Sequence, residues 1–467
     1  MSGDLQIVLP SKDLVIVANR LPVHRVRRTD GMKWEISPGG LVSALSPLLQ
    51  QSSGQWVGWT GRSGAAPKPF LHDGIQNIPV SMSKSEVTDF YHGFSNTTLW
   101  PLYHDAIRQP IYRRRWWNPY REVNQRFAEL AAEVAPKKAT VWIQDYQLQL
   151  VPKMLRTIRP DVRIGFFLHI PFPPTELFAQ LPWRRAILEG LLGADVVGFQ
   201  TRTGAQNFQA VARRYTQARG TGQVLRVENR QVLASAFPIS IDYQRFNDMA
   251  KTESVMRRMQ DIRKRVGHDR KIILGVDRLD YTKGIDIRIR AFEELLASGR
   301  WSPQECVLVQ VAVPSREVVD EYVEVRRRID ELVGKVNGQY GQLGMAAIDY
   351  LRRNLDAEEL IAMYRCADVM LVTPLRDGMN LIAKEFVASR VENRGVLVLS
   401  EFTGAAKELR GAIQVNPHDI DGLMVSIEEA LSMSPSLVTR RMRSMRETIR
   451  RHTVHDWARS FLGAVNQ

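Results

Sequence analysis

The sequence predicts a two-domain α/β protein built on parallel sheets. Three observations carry that expectation: a length of 467 residues, a series of short apolar runs without polar alternation, and longer segments of helical period between them. A chain this long exceeds what one core comfortably serves and suits two domains of ordinary size. Apolar residues make up 44% and charged residues 24%, close to the globular average and far from disordered or collagen-like composition.

Taken in order, the runs are LVIVAN (14–19), VWIQ (141–144), IGFFL (164–168), VVGFQ (196–200), IILGVD (272–277), VLVQVAV (307–313), VMLVT (369–373) and VLVLS (396–400). Runs of this kind suit strands buried on both faces of a parallel sheet. Their alternation with helical segments gives α/β architecture. The series pauses at FPISIDYQRF (237–246), and a charged helical stretch precedes the next run. The expected domains are therefore 1–245 and 246–450, with a short segment, 451–467, carrying the amphipathic stretch DWARSFLGAV. Open α/β sheets bind ligands beyond the carboxyl ends of their strands. Two such sheets facing each other make a cleft the expected site.

The formal charge of +14 admits nucleic acid, anionic membranes and anionic small molecules as partners. The densest basic runs, at 256–271, 325–330 and 440–451, have helical apolar spacing and nearby acidic residues, so they read as solvated helix faces. No zinc-finger spacing or RNA-binding aromatic signature accompanies them. No apolar run reaches the roughly 18 residues of a membrane helix, and the start, MSGDLQIVLPSKD, has no leader pattern. A cytoplasmic protein without nucleic-acid or membrane partners is expected. Cys306 and Cys366 lie inside apolar segments and read as buried hydrophobes rather than a disulfide or metal pair.

Polar residues at the ends of the runs carry the chemistry. DRLDYTKG (277–284) follows IILGV and delivers Arg278 and Lys283 at a strand end. A planar fork and a mobile point charge together suit a diphosphate whose negative charge grows as a bond breaks; read alone, the pair fits surface charges equally well. TPLRDGMNLIAKEF (373–386) follows another run and opens a helix. There Gly378 permits a tight turn, and free amides around Met379, Asn380, Leu381 and Ile382 form an anion site. Glu385, further into that helix, could accept both hydroxyls of a ribose, whereas Asp377 alone reads as an N-cap.

In the first half, VANRLPV places Arg20 at a strand end, and SPGGLVSAL sets Gly39 and Gly40 before a helix, where backbone can approach a phosphate or sugar. Neither the dinucleotide fingerprint nor the P-loop pattern occurs. Asp145 follows VWIQ and His169 follows IGFFL, both where residues of a binding site should lie. FYHGFSNTTLWPLYHD (90–105) gathers Tyr91, Trp100 and His104 in a stretch with little helical or strand regularity. It reads as an irregular loop whose rings stack on a sugar, or as a hydrophobic plug. The triplet Asp419, Ile420, Asp421 is a D-x-D, but it precedes an apolar helical run and reads as a helix cap. No metal is expected.

Together these segments resemble the trehalose-6-phosphate synthase family of retaining glucosyltransferases, and several look like actinobacterial members. The resemblance runs from NRLPV and SPGGL through FSNTTLWP, WIQDYQ, GFFLHIPFP, ADVVGFQT and GVDRLDYTKGI to PLRDGMNLIAKE and LSEFTGAA. It implies the GT-B fold, two facing Rossmann-like domains with a cleft, and a final helix that crosses back to the first domain. It implies glucose transfer from a nucleotide diphosphate donor (UDP-, ADP- or GDP-glucose) to glucose 6-phosphate, with no cofactor or metal and a homodimer or homotetramer. The seven residues between Asp377 and Glu385 match the acidic spacing of retaining nucleotide-sugar transferases. By resemblance Gly39, Gly40, Arg278, Lys283 and the segment from Gly378 to Glu385 hold the donor, while His169 and Asp377 orient its glucose. Arg20, Trp59, Tyr91, Trp100, Asp145 and Arg316 bind the acceptor. His169, Asp145, Arg278, Lys283, Asp377 and Glu385 form the expected catalytic set. One departure is Gln147, where better-known members have His. A sister synthase with another acceptor, such as glycerol phosphate, and a non-catalytic sugar-phosphate sensor share much of this pattern.

Overall fold

The computed structural model describes residues 13–28, 31–37, 42, 45, 54–314 and 320–467. The chain forms two compact units, one of residues 1–239 with 454–467 and one of 240–453. The division falls a few residues before the expected boundary at 245, and the final helix starts the return to the first unit at Val454.

The first unit holds a nine-stranded sheet and a separate hairpin. The strands are β1 (Leu14–Arg20), the hairpin pair β2 (Val23–Arg28) and β3 (Gly31–Ile36), β4 (Gln55–Trp59), β5 (Phe70–His72), β6 (Ile75–Val80), β7 (Thr140–Gln144), β8 (Arg163–Leu168), β9 (Val196–Phe199), β10 (Val224–Val227) and β11 (Arg230–Ala236). Their order in the sheet is β10-β11-β9-β8-β7-β1-β4-β6-β5. All pairings are parallel except the two edge hairpins, β10 with β11 and β5 with β6. The central strands are buried along nearly their whole length, as their unbroken apolar runs require. The helix Val454–Asn466 seats Phe461 against β8 and β9, where a Cβ on Gly165 or Gly198 would come within 2.7 or 2.6 Å of its ring. Phe461 and Trp457 also pack on Trp142 of β7 at 4.7 and 4.9 Å. This is why an amphipathic tail remote in sequence belongs to this core.

The second unit is a six-stranded, wholly parallel sheet in the order β14-β13-β12-β15-β16-β17. Its strands are β12 (Lys271–Arg278), β13 (Cys306–Val313), β14 (Ile348–Leu351), β15 (Val369–Val372), β16 (Val396–Ser400) and β17 (Ile413–Val415). Cys306 and Cys366 are free and buried here. No helix among the described residues is long and apolar enough to cross a membrane.

Strand order also fixes where ligands should bind. In the first unit the chain steps from β1 outward through β4 and β6, then returns to β7 on the other side of β1. In the second it steps from β12 to β13 and β14, then returns to β15. Each return is a topological switch point, where the connections leave in opposite directions and open a crevice beyond the strand ends.

Candidate active site

At the switch point of the second unit, β12 ends on the exposed Arg278 and runs into a single 3₁₀ turn, Tyr281–Lys283. Asp280 caps that turn. Its Oδ1 accepts from the Thr282 amide and hydroxyl, both at 2.9 Å, and its Oδ2 accepts from the Tyr322 hydroxyl at 3.1 Å. Gly284 follows at φ 60°, with space for no side chain: a Cβ would lie 2.4 Å from the carbonyl oxygen of Thr373. The turn thereby delivers Lys283, only 8% exposed, to Asp377, with Nζ 2.6 Å from Oδ2.

Asp377 arrives from the other side of the switch point, on the segment that follows β15. The same Oδ2 accepts from Asn380 Nδ2 at 3.1 Å. Asn380 then caps the helix Leu381–Ser389 by accepting from the Ala383 amide at 3.1 Å. The tight-turn position expected at Gly378 falls instead on Asn380, at φ 79°, because a short polar side chain both tolerates the left-handed region and serves as a cap. A close backbone approach does exist here, but Gly404 supplies it: its Cβ would lie 2.3 Å from the Gly378 carbonyl oxygen.

Beneath this cluster lies Arg288, fully buried. Its Nη1 meets Asp277 Oδ2 at 2.7 Å, Nη2 donates to the Lys283 carbonyl at 3.1 Å, and Nε donates to Thr373 Oγ1 at 3.1 Å. One guanidinium thus ties the end of β12 and the end of β15 to the turn that carries Lys283. Gly275 makes room for it, since a Cβ there would come within 2.4 Å of Nη1. On the capped helix, burial pushes the Glu385 carboxyl up to about 7, against the opposing pull of the Tyr364 hydroxyl and the Arg245 charge.

At the switch point of the first unit, β1 ends on Arg20, whose guanidinium lies 4.3 Å from the Trp59 ring centroid and 5.6 Å from that of Tyr91. Gly61, at φ 90°, permits this: a Cβ there would sit 1.6 Å from Arg20 Nη1. β7 ends on Gln144, and Asp145 follows at φ 71°, accepting the His169 amide at 3.2 Å. His169 Nε2 lies 2.9 Å from Gln144 Oε1, with Phe167 and Trp457 rings beside it. Burial pushes its imidazole down to about 3, so the ring is neutral near pH 7.

The stretch expected to be an irregular loop is helical. Val87–Leu99 forms a π-helix and Trp100–Tyr103 continues it as α-helix. An i→i+5 ladder has more residues per turn than the 3.6 period, so its apolar residues do not recur at readable positions. Tyr91 is half-buried beside Trp59. Trp100 is 4% exposed and packs on Tyr146 and His104.

Two predicted groups are thus assembled within the first unit, Arg20 with Trp59 and Tyr91, and Asp145 with His169. Lys283, Asp377 and the helix start from Asn380 are assembled within the second. Gly39, Gly40 and Arg316 lie outside the described residues. Gly61, Gln144, Arg288 and Tyr364 support these groups without standing out in the sequence. Only Arg288 left a signal, a charge in phase with Ile285, Ile289 and Phe292 on an apolar helix face. Among the described residues no group of three or more His, Cys, Asp or Glu gathers as a metal site. Asp419 of the D-x-D triplet caps the helix Ile420–Ser432, accepting from the Gly422 amide at 2.9 Å.

Two parallel-sheet units of Rossmann type define a GT-B glycosyltransferase. The chain belongs to glycosyltransferase family 20, whose sequence pattern matches residues 12–467. It is 55% identical to the trehalose-6-phosphate synthase of Mycolicibacterium vanbaalenii over 97% of this chain and 96% of that one. The corresponding enzyme of Mycolicibacterium smegmatis is 54% identical over 97% and 92%. Among solved structures, the UDP-forming α,α-trehalose-phosphate synthase of Burkholderia xenovorans in complex with glucose-6-phosphate superposes with a TM-score of 0.90 at 33% identity, covering 97% of this chain and all of that one. An E. coli structure bound with UDP-2-fluoro glucose gives 0.90 at 32%, over 98% and 99%.

Proposed function

We propose that this chain is a retaining glucosyltransferase that moves glucose from UDP-glucose to glucose 6-phosphate, forming α,α-trehalose 6-phosphate and UDP without a metal. The observation that most supports this reading is the part-buried Lys283–Asp377 pair beside the Asn380-capped helix start. It joins a cation suited to a diphosphate, a carboxylate suited to sugar hydroxyls and free helix amides at one switch point. UDP is preferred among the donor bases because the similar enzymes are UDP-forming.

In this mechanism Arg278, Lys283 and the amides of Leu381 and Ile382 hold the diphosphate, and Glu385 holds the ribose. The bond between glucose C1 and the diphosphate oxygen breaks as C1 bonds to the acceptor hydroxyl on the same face. The departing phosphate oxygen takes the acceptor proton. Lys283 and Arg278 offset the charge that grows on the leaving group. His169, neutral and desolvated, contributes hydrogen bonds to the donor glucose rather than charge, and Asp377 fixes both Lys283 and the sugar. Arg20, on its aromatic support, binds the acceptor phosphate. Tyr91, Trp59, Trp100 and Asp145 complete that side.

The test is to incubate the purified chain with UDP-glucose and either glucose 6-phosphate or glycerol 3-phosphate, in EDTA, and identify products by mass spectrometry. Trehalose 6-phosphate from the first acceptor alone is expected. Product from glycerol 3-phosphate alone, or a requirement for restored magnesium or manganese, would reject the reading. A second expectation concerns Gly61→Ala. The added Cβ displaces the Arg20 guanidinium, so the KM for glucose 6-phosphate should rise about tenfold, the scale of one charge-assisted hydrogen bond. The KM for UDP-glucose should change little; an unmoved acceptor KM would remove Arg20 from the acceptor side.

A further inference from the structure

Glu385 is held by a residue that the mechanism above does not use. Tyr364, on the helix Ala357–Cys366, is fully buried, and its hydroxyl donates to Glu385 Oε2 at 3.1 Å. Both ends of this tyrosine are fixed. Its backbone carbonyl accepts from Arg390 Nη1 at 2.7 Å, and its ring stands edge-on to Phe386 at 6.3 Å. The helix that carries Glu385 is anchored in turn by Lys384, whose Nζ reaches both oxygens of Glu408 at 3.0 and 3.1 Å. No second side-chain hydrogen bond or ion pair to the Glu385 carboxylate exists among the described residues.

We propose that Tyr364 is the positioning residue for the nucleotide's ribose: by holding Oε2 it fixes the carboxylate and leaves Oε1, in the ionised form, for the ribose hydroxyls. The inference rests on the assignment of Glu385 to the ribose. The charges around the pair are consistent with it. Arg245 acts on Glu385 from the helix Tyr243–Met249, and Asp277 of β12 acts on Tyr364. Lys384 is engaged by Glu408, and Arg446 of the helix Pro435–Arg451 is spent on the Val387 and Ala388 carbonyls, Tyr243 and Asn247. Burial and the neighbouring carboxylate keep the Tyr364 hydroxyl protonated, well above its ordinary range, so it acts as a donor. Each proton that Glu385 takes up near pH 7 removes an acceptor from the ribose, and the Tyr364 hydroxyl opposes that uptake.

Tyr364→Phe deletes the hydroxyl and keeps the ring, so the fold should persist. Its dissociation constant for UDP, measured by calorimetry, and its KM for UDP-glucose should both rise roughly tenfold at pH 6.5, the scale of losing a hydrogen bond to a charged group. The penalty should shrink by pH 8.5, because the substitution raises the Glu385 pKa and both forms of the protein are ionised at high pH. Glu385→Gln should weaken UDP at every pH and flatten the profile. A Tyr364→Phe penalty that is absent, or equal at both pH values, overturns the inference while a strong Glu385→Gln effect leaves the ribose assignment standing. If Glu385→Gln also binds UDP normally, the ribose assignment itself fails. A thermal melt confirms folding, and Tyr364→Phe on the Glu385→Gln background should add nothing further to UDP binding at either pH.

Discussion

Lys283→Ala is expected to lower kcat by roughly a hundredfold or more, the scale seen when one preorganised transition-state contact is removed. The ammonium is scarcely exposed and lies 2.6 Å from Asp377. The turn that carries it is fixed by the Asp280 cap, the Tyr322 hydroxyl and the Arg288 bond to the Lys283 carbonyl. A charge held this way needs no reorganisation as the diphosphate departs. Truncation also strips Asp377 of its 2.6 Å counter-charge while the Asn380 amide bond stays in place, so its hold on the sugar weakens as well. Lys283→Arg should not restore activity, because a planar fork cannot replace a point charge in a space shaped for one. The measurement is steady-state turnover with both substrates saturating. Turnover within threefold of the parent would place Lys283 outside the transition state.

The sequence made some of this visible, and the reasons differ from element to element. The runs that became β1, β7, β8, β9, β12, β13, β15 and β16 were readable because central parallel strands are apolar on both faces. The edge strands β5 and β17 were not, with three residues each, nor was β6, next to the edge, which contains Pro79, so neither length nor alternation marks them. Residues at strand ends, such as Arg20, Asp145, His169 and Lys283, stood out as polar groups directly after apolar runs. What pairs with them did not. Gly61 serves Arg20 across 41 positions, Tyr364 serves Glu385 across 21, and Asp377 meets Lys283 across 94. Such pairings depend on strand order, which no local pattern encodes. The helix from Val87 was missed for another reason, since π-helical spacing does not follow the period by which helices are read.

Arg288→Met should be the most destabilising single change discussed, costing about 3–5 kcal/mol, the range for stripping one partner from a buried ion pair. Methionine fills much of the same volume, so the loss reflects chemistry more than a cavity. It leaves Asp277, 5% exposed, without its 2.7 Å counter-charge. Burial already holds the Asp277 carboxyl above its ordinary value, with Arg288 pulling the other way, and removing Arg288 raises it further. A carboxyl whose folded pKa is raised favours the fold while protonated and opposes it once ionised. The penalty should therefore be smallest near pH 4–5, close to the unfolded aspartate value of about 3.9, and grow as pH rises toward 8. Denaturant unfolding at pH 5 and pH 8 measures this directly. Adding Asp277→Asn to Arg288→Met should recover part of the loss at pH 8, because an amide needs no counter-charge; the coupling between two touching residues should be on the order of 1–3 kcal/mol. A pH-independent penalty, or no recovery in the double variant, would show that the arginine stabilises through its packing and its bonds to the Lys283 carbonyl and Thr373, and that the Asp277 ion pair has no part in holding the Lys283 turn against the strand end.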